Sequence, residues 1–265
     1  MNKKKKTFKK PIVVGNWKMD PASFTEAKEI LFSLKKKTPK SLSASVVLCP
    51  PSVYLPKLSA YTHPDFLSFG AQDCFWQTEG SYTGELSIQM LKDSGAEWVI
   101  LGHSERRSLG ETSDIVNMKL KTVLESGLIA ILCVGEKERD DEGEYLSFLQ
   151  EQLASSIKDL DPNLLGRMVI AYEPVWAIGR DDNLAMEGSN IHEMTIFIRR
   201  TLSNIFGREL SDQVPVIYGG SATPENIEDI ITNGNVDGVL VGRASRSAED
   251  FSVIIKSVVK QYGNK

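Results

Sequence analysis

Residues 168–179 read Met168-Val169-Ile170-Ala171-Tyr172-Glu173-Pro174-Val175-Trp176-Ala177-Ile178-Gly179. The stretch opens as a short apolar run without polar alternation, the pattern of a strand buried on both faces of a parallel sheet. It ends on a carboxylate and a proline, whose fixed φ directs the chain out of the strand into a loop. That loop is apolar through Val175, Trp176, Ala177 and Ile178, an odd composition for an exposed connector. It reads as a lid that buries those groups on closing over a ligand. Closure would desolvate Glu173 and strengthen it as a base.

Seven more runs of the same kind lie at fairly even spacing on either side. They are Ile12-Val13-Val14, Val46-Val47-Leu48, Leu67-Ser68-Phe69, Trp98-Val99-Ile100-Leu101, Ile129-Ala130-Ile131-Leu132, Val214-Pro215-Val216-Ile217 and Val239-Leu240-Val241. Between them the apolar period changes to that of a helix, as in Phe24, Ala27, Ile30, Leu31 and Leu34. A second such segment holds Ile115, Met118, Leu120, Val123 and Leu124, with Ser113 as its expected N-cap. Ser189, supported by Glu193, is the expected cap ahead of Ile191, Met194, Ile198 and Leu202. Thr223 with Pro224 marks another helix start. Eightfold β-then-α alternation leaves a closed barrel or a doubly wound sheet. No G-x-G-x-x-G follows the first strand and no linker divides the chain. The expectation is an α/β fold, a (β/α)8 TIM barrel: one parallel closed barrel over residues 11–265, ringed by helices, behind a lysine-rich tail over residues 1–10.

The bulk numbers agree. The chain has 265 residues, close to the roughly 250 of one such barrel, with 41% hydrophobic and 25% charged residues. A chain of this length buries enough surface to need neither disulfides nor a structural metal. Its three cysteines, Cys49, Cys74 and Cys133, are widely spaced, which fits a reducing compartment and predicts a cytoplasmic location. A net charge of -4 argues against nucleic acid as a partner. Lys3-Lys4-Lys5-Lys6, followed by Lys9 and Lys10, reads as a solvated tail. No hydrophobic region of a secretory signal follows it, and no apolar run reaches the ~18 residues of a membrane helix.

In a barrel, chemistry sits at the carboxyl ends of the strands. There stand Asn16-Trp17-Lys18, Gly102-His103-Ser104-Glu105-Arg106-Arg107, Tyr172-Glu173, Tyr218-Gly219-Gly220-Ser221 and Gly242-Arg243-Ala244-Ser245. Glycine-bearing turns after strands six, seven and eight let backbone N–H groups approach an anion, and helix N-termini add a favourable dipole. Lys18 is expected to supply a positive charge from the opposite side. His63 and His192 fall outside strand tips, and nothing stands at metal-ligand spacing to His103. A carboxylate base, an imidazole, a cation and a phosphate grip suit enolisation beside a carbonyl. An ordinary salt bridge between Glu173 and Lys18 stays open as a structural role. Residue chemistry alone reaches a lyase or isomerase of a small phosphorylated molecule, with no cofactor required and no metal site. The other readings are a different phosphate-binding barrel isomerase or epimerase, and a non-catalytic protein using its lysine tail on an anionic partner.

At these same residues the sequence resembles the triosephosphate isomerase family. The matching stretches are Gly15-Asn16-Trp17-Lys18-Met19, Ala71-Gln72-Asp73 with Tyr82-Thr83-Gly84-Glu85, residues 102–107, Cys133-Val134-Gly135-Glu136, residues 171–179, residues 218–221 and Asp237-Gly238-Val239-Leu240-Val241-Gly242. The resemblance implies interconversion of dihydroxyacetone phosphate and D-glyceraldehyde 3-phosphate, a step of glycolysis and gluconeogenesis. It implies Glu173 as proton shuttle, His103 as neutral electrophile and Lys18 as catalytic cation. Asn16 and Lys18 would contact substrate, supported by Ser104 and by Glu105, which would hold Lys18. Gly179, Ser221, Gly242 and the backbone of Arg243 would bind phosphate. It further implies a homodimer through the loop from Gln72 to Glu85, with Thr83 reaching the other subunit's site.

Three departures from the family pattern stand out. After Gly179 the usual Thr-Gly-Lys is replaced by Arg180-Asp181-Asp182-Asn183-Leu184. The usual second glycine after strand eight is Arg243, whose N–H can serve if its φ stays negative and whose guanidinium either adds to the phosphate grip or crowds it. The lysine-rich N-terminus is longer than the family needs.

Overall fold

The computed structural model describes residue 8 and residues 10–39, 43–62, 66–177 and 186–263. Eight parallel strands close in chain order: β1 (Ile12–Asn16), β2 (Ser45–Cys49), β3 (Ser68–Ala71), β4 (Ala96–Leu101), β5 (Ile129–Val134), β6 (Met168–Tyr172), β7 (Val216–Tyr218) and β8 (Gly238–Val241). β1 pairs with β2 on one side and β8 on the other, Ile12 standing beside Ser45 and Gly238. Around them lie α1 (Phe24–Lys37), α2 (Leu55–Ser59), α3 (Ile88–Asp93), α4 (Ser104–Ser108), α5 (Ser113–Glu125), α6 (Glu144–Ser156), α7 (Gly188–Phe206), α8 (Arg208–Ser211), α9 (Ile227–Asn233) and α10 (Ala248–Gly263).

The absence of polar alternation now has its cause. Successive side chains of a strand point to opposite faces, and here both faces are packed. Ile12, Val14, Val47, Cys49, Trp98, Ile100, Ile131, Cys133, Val169, Ala171, Ile217 and Leu240 fill the barrel interior as one cluster. Their neighbours Val13, Leu48, Val99, Leu132, Ile170, Val216 and Val239 join the larger cluster under the helices. Phe8 packs at the amino-terminal floor of the interior, its ring 6.0 Å from that of Trp98. Lys3–Lys6 and the Arg180–Leu184 departure lie outside the described residues.

Every apolar run became a strand, with shifts at the ends. β7 begins at Val216, because Pro215 has no N–H for the ladder, although its carbonyl accepts from Ile170. The cap of α5 is Thr112, one residue before the expected Ser113, and its hydroxyl accepts from the Ile115 N–H. Ser189 caps nothing: α7 starts at Gly188 and follows Glu187. The turn at Pro224 closes through Ile227 N–H to Thr223 O, and regular helix runs from Ile227. Among the described residues, no helix is long and apolar enough to cross a membrane.

Candidate active site

The carboxyl ends of the strands surround a cavity of about 850 Å³ lined by Asn16, Lys18, His103, Ser221, Gly242 and Arg243, among others. A second cavity of about 400 Å³ shares Asn16, Lys18, Met19 and His103 and continues past Gln72 and Leu109. Asn16, Lys18, Met19 and His103 thus form the wall between the two.

Lys18 stands just beyond β1 with φ 56°, a left-handed conformation that costs a lysine stability unless its surroundings hold it. They do so at three points. Asn16 Oδ1 accepts the Lys18 backbone N–H at 3.0 Å, and Gln72 Nε2 donates to the Lys18 carbonyl at 2.8 Å. The ammonium meets Glu105 Oε1 at 2.6 Å. Lys18 therefore pairs with Glu105 and not with Glu173. It also adjoins the strand-eight turn, because the barrel closes β1 against β8. A Cβ on Gly242 would sit 3.8 Å from Lys18 Cε, so the charge does not come from the opposite side as the sequence reading had it.

His103 precedes α4 as its N-cap, and its Nδ1 accepts the Glu105 N–H at 3.2 Å. A ring nitrogen that accepts cannot carry a proton, so this contact selects the neutral tautomer with hydrogen on Nε2. That Nε2 lies 3.5 Å from Glu173 Oε1.

Glu173 is 2% exposed. Its Oε2 accepts the Ser104 N–H at 3.1 Å, while Oε1 has no hydrogen-bond partner among the described residues. A buried carboxylate oxygen without a donor is costly unless it is kept for a task. Gly219 leaves the space in which this side chain sits: a Cβ there would fall 2.8 Å from Glu173 Cγ. Cys133 lies next to it inside the barrel. Burial raises the Cys133 thiol well above its ordinary value, and the nearby charge of Glu173 adds to the rise, so the thiol stays neutral beside the carboxylate.

The first turn of the loop after β6 is already partnered. Val175–Ala177 form a 3₁₀ turn with Ala177 buried. Trp176 donates to Glu136 Oε1 at 2.9 Å and lies under the Arg139 guanidinium, 5.4 Å from its ring centre. Tyr172 donates to the same oxygen at 2.8 Å. The apolar character of this part of the loop thus serves the observed conformation too. Gly179 lies outside the described residues.

The structure brings Asn16, Lys18, Glu105, His103, Ser104, Glu173, Ser221, Gly242 and Arg243 to one end of the barrel. Arg243 is not among the described residues with positive φ, so no backbone strain follows from the missing glycine. Thr83 is exposed on its loop. No group of His, Cys, Asp and Glu side chains among the described residues is placed to hold a metal ion. Sequence reasoning gave no role to Gln72 beyond the start of a loop, nor to Arg107. Arg107 ties the β4 tip to its neighbours by donating to the carbonyls of Gly102 at 2.8 Å and Cys133 at 3.4 Å. Both stand inside quoted motif stretches, which was the one signal available.

The family model described as Triosephosphate isomerase matches residues 11–258. The triosephosphate isomerase of Trichodesmium erythraeum is 43% identical over 253 residues, covering 94% of this chain and 99% of the relative. That of a Thermoanaerobacter species is 39% identical over 250 residues, again 94% and 99% of the two chains. The crystal structure of triosephosphate isomerase from Bartonella henselae superposes with a TM-score of 0.81 at 32% identity, covering 94% of this chain and 98% of that one.

Proposed function

The chain belongs to the triosephosphate isomerase family and interconverts dihydroxyacetone phosphate and D-glyceraldehyde 3-phosphate; from that premise we propose which side chains carry the reaction. Glu173 takes the proton from the carbon beside the carbonyl of dihydroxyacetone phosphate. The electron pair moves into the new carbon–carbon double bond and onto the carbonyl oxygen. His103 Nε2–H and the Lys18 ammonium stabilise the enediolate oxygens where that charge develops. His103 Nε2–H gives its proton to the former carbonyl oxygen and takes one from the neighbouring hydroxyl, Glu173 returns its proton to the neighbouring carbon, and the aldehyde forms. Glu105 holds Lys18, Asn16 shapes the wall beside it, and Ser104 keeps Glu173 at rest. Gly179, Ser221, Gly242 and the N–H of Arg243 grip the phosphate.

The observation that carries this reading is the Glu173 Oε1 atom, buried with no hydrogen-bond partner among the described residues and 3.5 Å from His103 Nε2. In the observed conformation Glu173 lines neither cavity, so it leaves Ser104 and swings toward the substrate. The test is Glu173→Asp: turnover falls severely while affinity for inorganic phosphate stays nearly intact. Equal loss of both would make Glu173 a structural residue.

The working form is a homodimer through the Gln72–Glu85 loop. Phe75, Trp76 and Tyr82 stack within that loop at 4.0 and 4.5 Å and stiffen it. Met19 and Leu109 line the smaller cavity and are largely exposed, at 98% and 80%. A second copy's loop, with Thr83 near its tip, fills that cavity and presses on the Lys18–His103 wall. Light scattering gives twice the chain mass, and activity is lost on dilution together with the dimer; an active monomer overturns this. The free, buried cysteines fit a cytoplasmic location, where the reaction serves glycolysis and gluconeogenesis.

A further inference from the structure

Among the described residues, three cations line the larger cavity: Lys18, Arg243 and Arg246. Two are held by carboxylates, Lys18 by Glu105 and Arg246 by Asp20. Arg243 is exposed and, among the described residues, has no ion pair or hydrogen bond to its guanidinium. It follows Gly242, which lies against the Lys18 side chain, and it opens the 3₁₀ turn Arg243–Arg246. A guanidinium presents a planar fork of donors matched to phosphate oxygens. At the rim of a cavity that already holds Lys18 and Ser221, no partner among the described residues ties it to the fold.

We propose that the Arg243 guanidinium is a second, side-chain grip on the phosphate of the triose substrate, which tightens this enzyme for phosphate-bearing ligands where a glycine would offer only its N–H. The inference rests on the reading of this cavity as the substrate site. It has a consequence beyond substrate affinity: a grip on the phosphate alone also captures free inorganic phosphate, so the enzyme is inhibited by it more strongly than a glycine-bearing enzyme. The effect is electrostatic at an exposed group and weakens as salt rises. Crowding is the competing outcome, in which the side chain blocks the site and its removal improves binding.

The experiment uses the full-length protein and inorganic phosphate as the probe. Its dissociation constant is measured by calorimetry, and KM and the phosphate inhibition constant by a coupled assay, at two salt concentrations. Arg243→Gln and Arg243→Gly both keep the backbone N–H and remove the charged guanidinium fork; Arg243→Lys keeps the charge without the fork. For the Gln and Gly variants, phosphate dissociation and inhibition constants and KM rise by about tenfold at low salt, and less at high salt. The Lys variant recovers part of the loss. Phosphate constants within twofold of wild type in both neutral variants, or tighter binding in them, overturn the proposal. Because phosphate binding is read without turnover, a folded wild type that binds phosphate but does not isomerise would defeat the functional reading while leaving this one tested.

Discussion

Gly219→Ala is expected to cripple the base without touching it. The new Cβ would lie 2.8 Å from Glu173 Cγ and 3.3 Å from the Tyr172 carbonyl oxygen. Carbon–carbon contacts settle at about 3.5–4.0 Å, so Cγ must retreat by about 1 Å. Gly219 does not occupy the left-handed region, so the clash decides the outcome rather than backbone strain. The methyl also fills space through which the carboxylate swings toward substrate. A misplacement of about 1 Å in a reacting group costs on the order of 100-fold in rate, or about 2.7 kcal/mol at 1.36 kcal/mol per decade. Overpacking lowers stability by about 1–3 kcal/mol, which a protein of ordinary stability survives. A coupled assay with glyceraldehyde 3-phosphate should then show kcat down by about two decades, with phosphate affinity changed far less. A folded variant with kcat within threefold of wild type would refute the claim that Glu173 works through the space beside Gly219.

Ser104→Pro deletes the N–H that Glu173 Oε2 accepts. Position 104 is the first residue of α4, where proline is tolerated, and His103 already has ψ 144°, as a residue before proline requires. The carboxylate loses its resting donor, and urea unfolding should show a loss of about 1–3 kcal/mol; an unchanged midpoint would mean that the hydrogen bond does not hold Glu173. Phe8→Ala should cost about 1–2 kcal/mol with unchanged kinetics, because Phe8 packs at the floor of the barrel, away from the site; altered KM would contradict that placement. Burial raises Cys49, Cys133, Tyr172 and Tyr218 above their ordinary 9.0 and 10.0. The folded chain therefore holds these protons where the unfolded chain releases them. Their contribution to stability is complete below about pH 9 and is lost as pH rises beyond it. The melting temperature should fall steadily above that pH, and a flat profile would show these groups to be solvated.

The barrel was readable because each strand is short, apolar on both faces and separated by helical periodicity, which a chain can satisfy only by covering a parallel sheet on both sides. Strand ends and caps were less so. Thr112 and Ser113 are equally good cap chemistry, and the backbone turn, not the residue type, decides between them. At the site, the strand tips named the residues, while the contacts depended on which tips the closed barrel makes neighbours. Lys18 beside Gly242 follows from β1 pairing with β8, and the Ser104 N–H reaching Glu173 follows from the curvature that brings β4 and β6 together across β5. Neither distance is encoded by spacing along the chain. The positive φ of Lys18 and the hold of Gln72 on its carbonyl arise from tertiary contacts that no local pattern announces.

The most direct test of the central claim is a coupled assay of glyceraldehyde 3-phosphate conversion by the wild type, His103→Gln and Glu173→Gln, each checked for folding by circular dichroism. The account predicts fast turnover by the wild type and a fall of several orders of magnitude in both variants, with the fold intact. Comparable turnover by either folded variant would remove that residue from the chemistry, and a folded but inactive wild type would contradict the account as a whole.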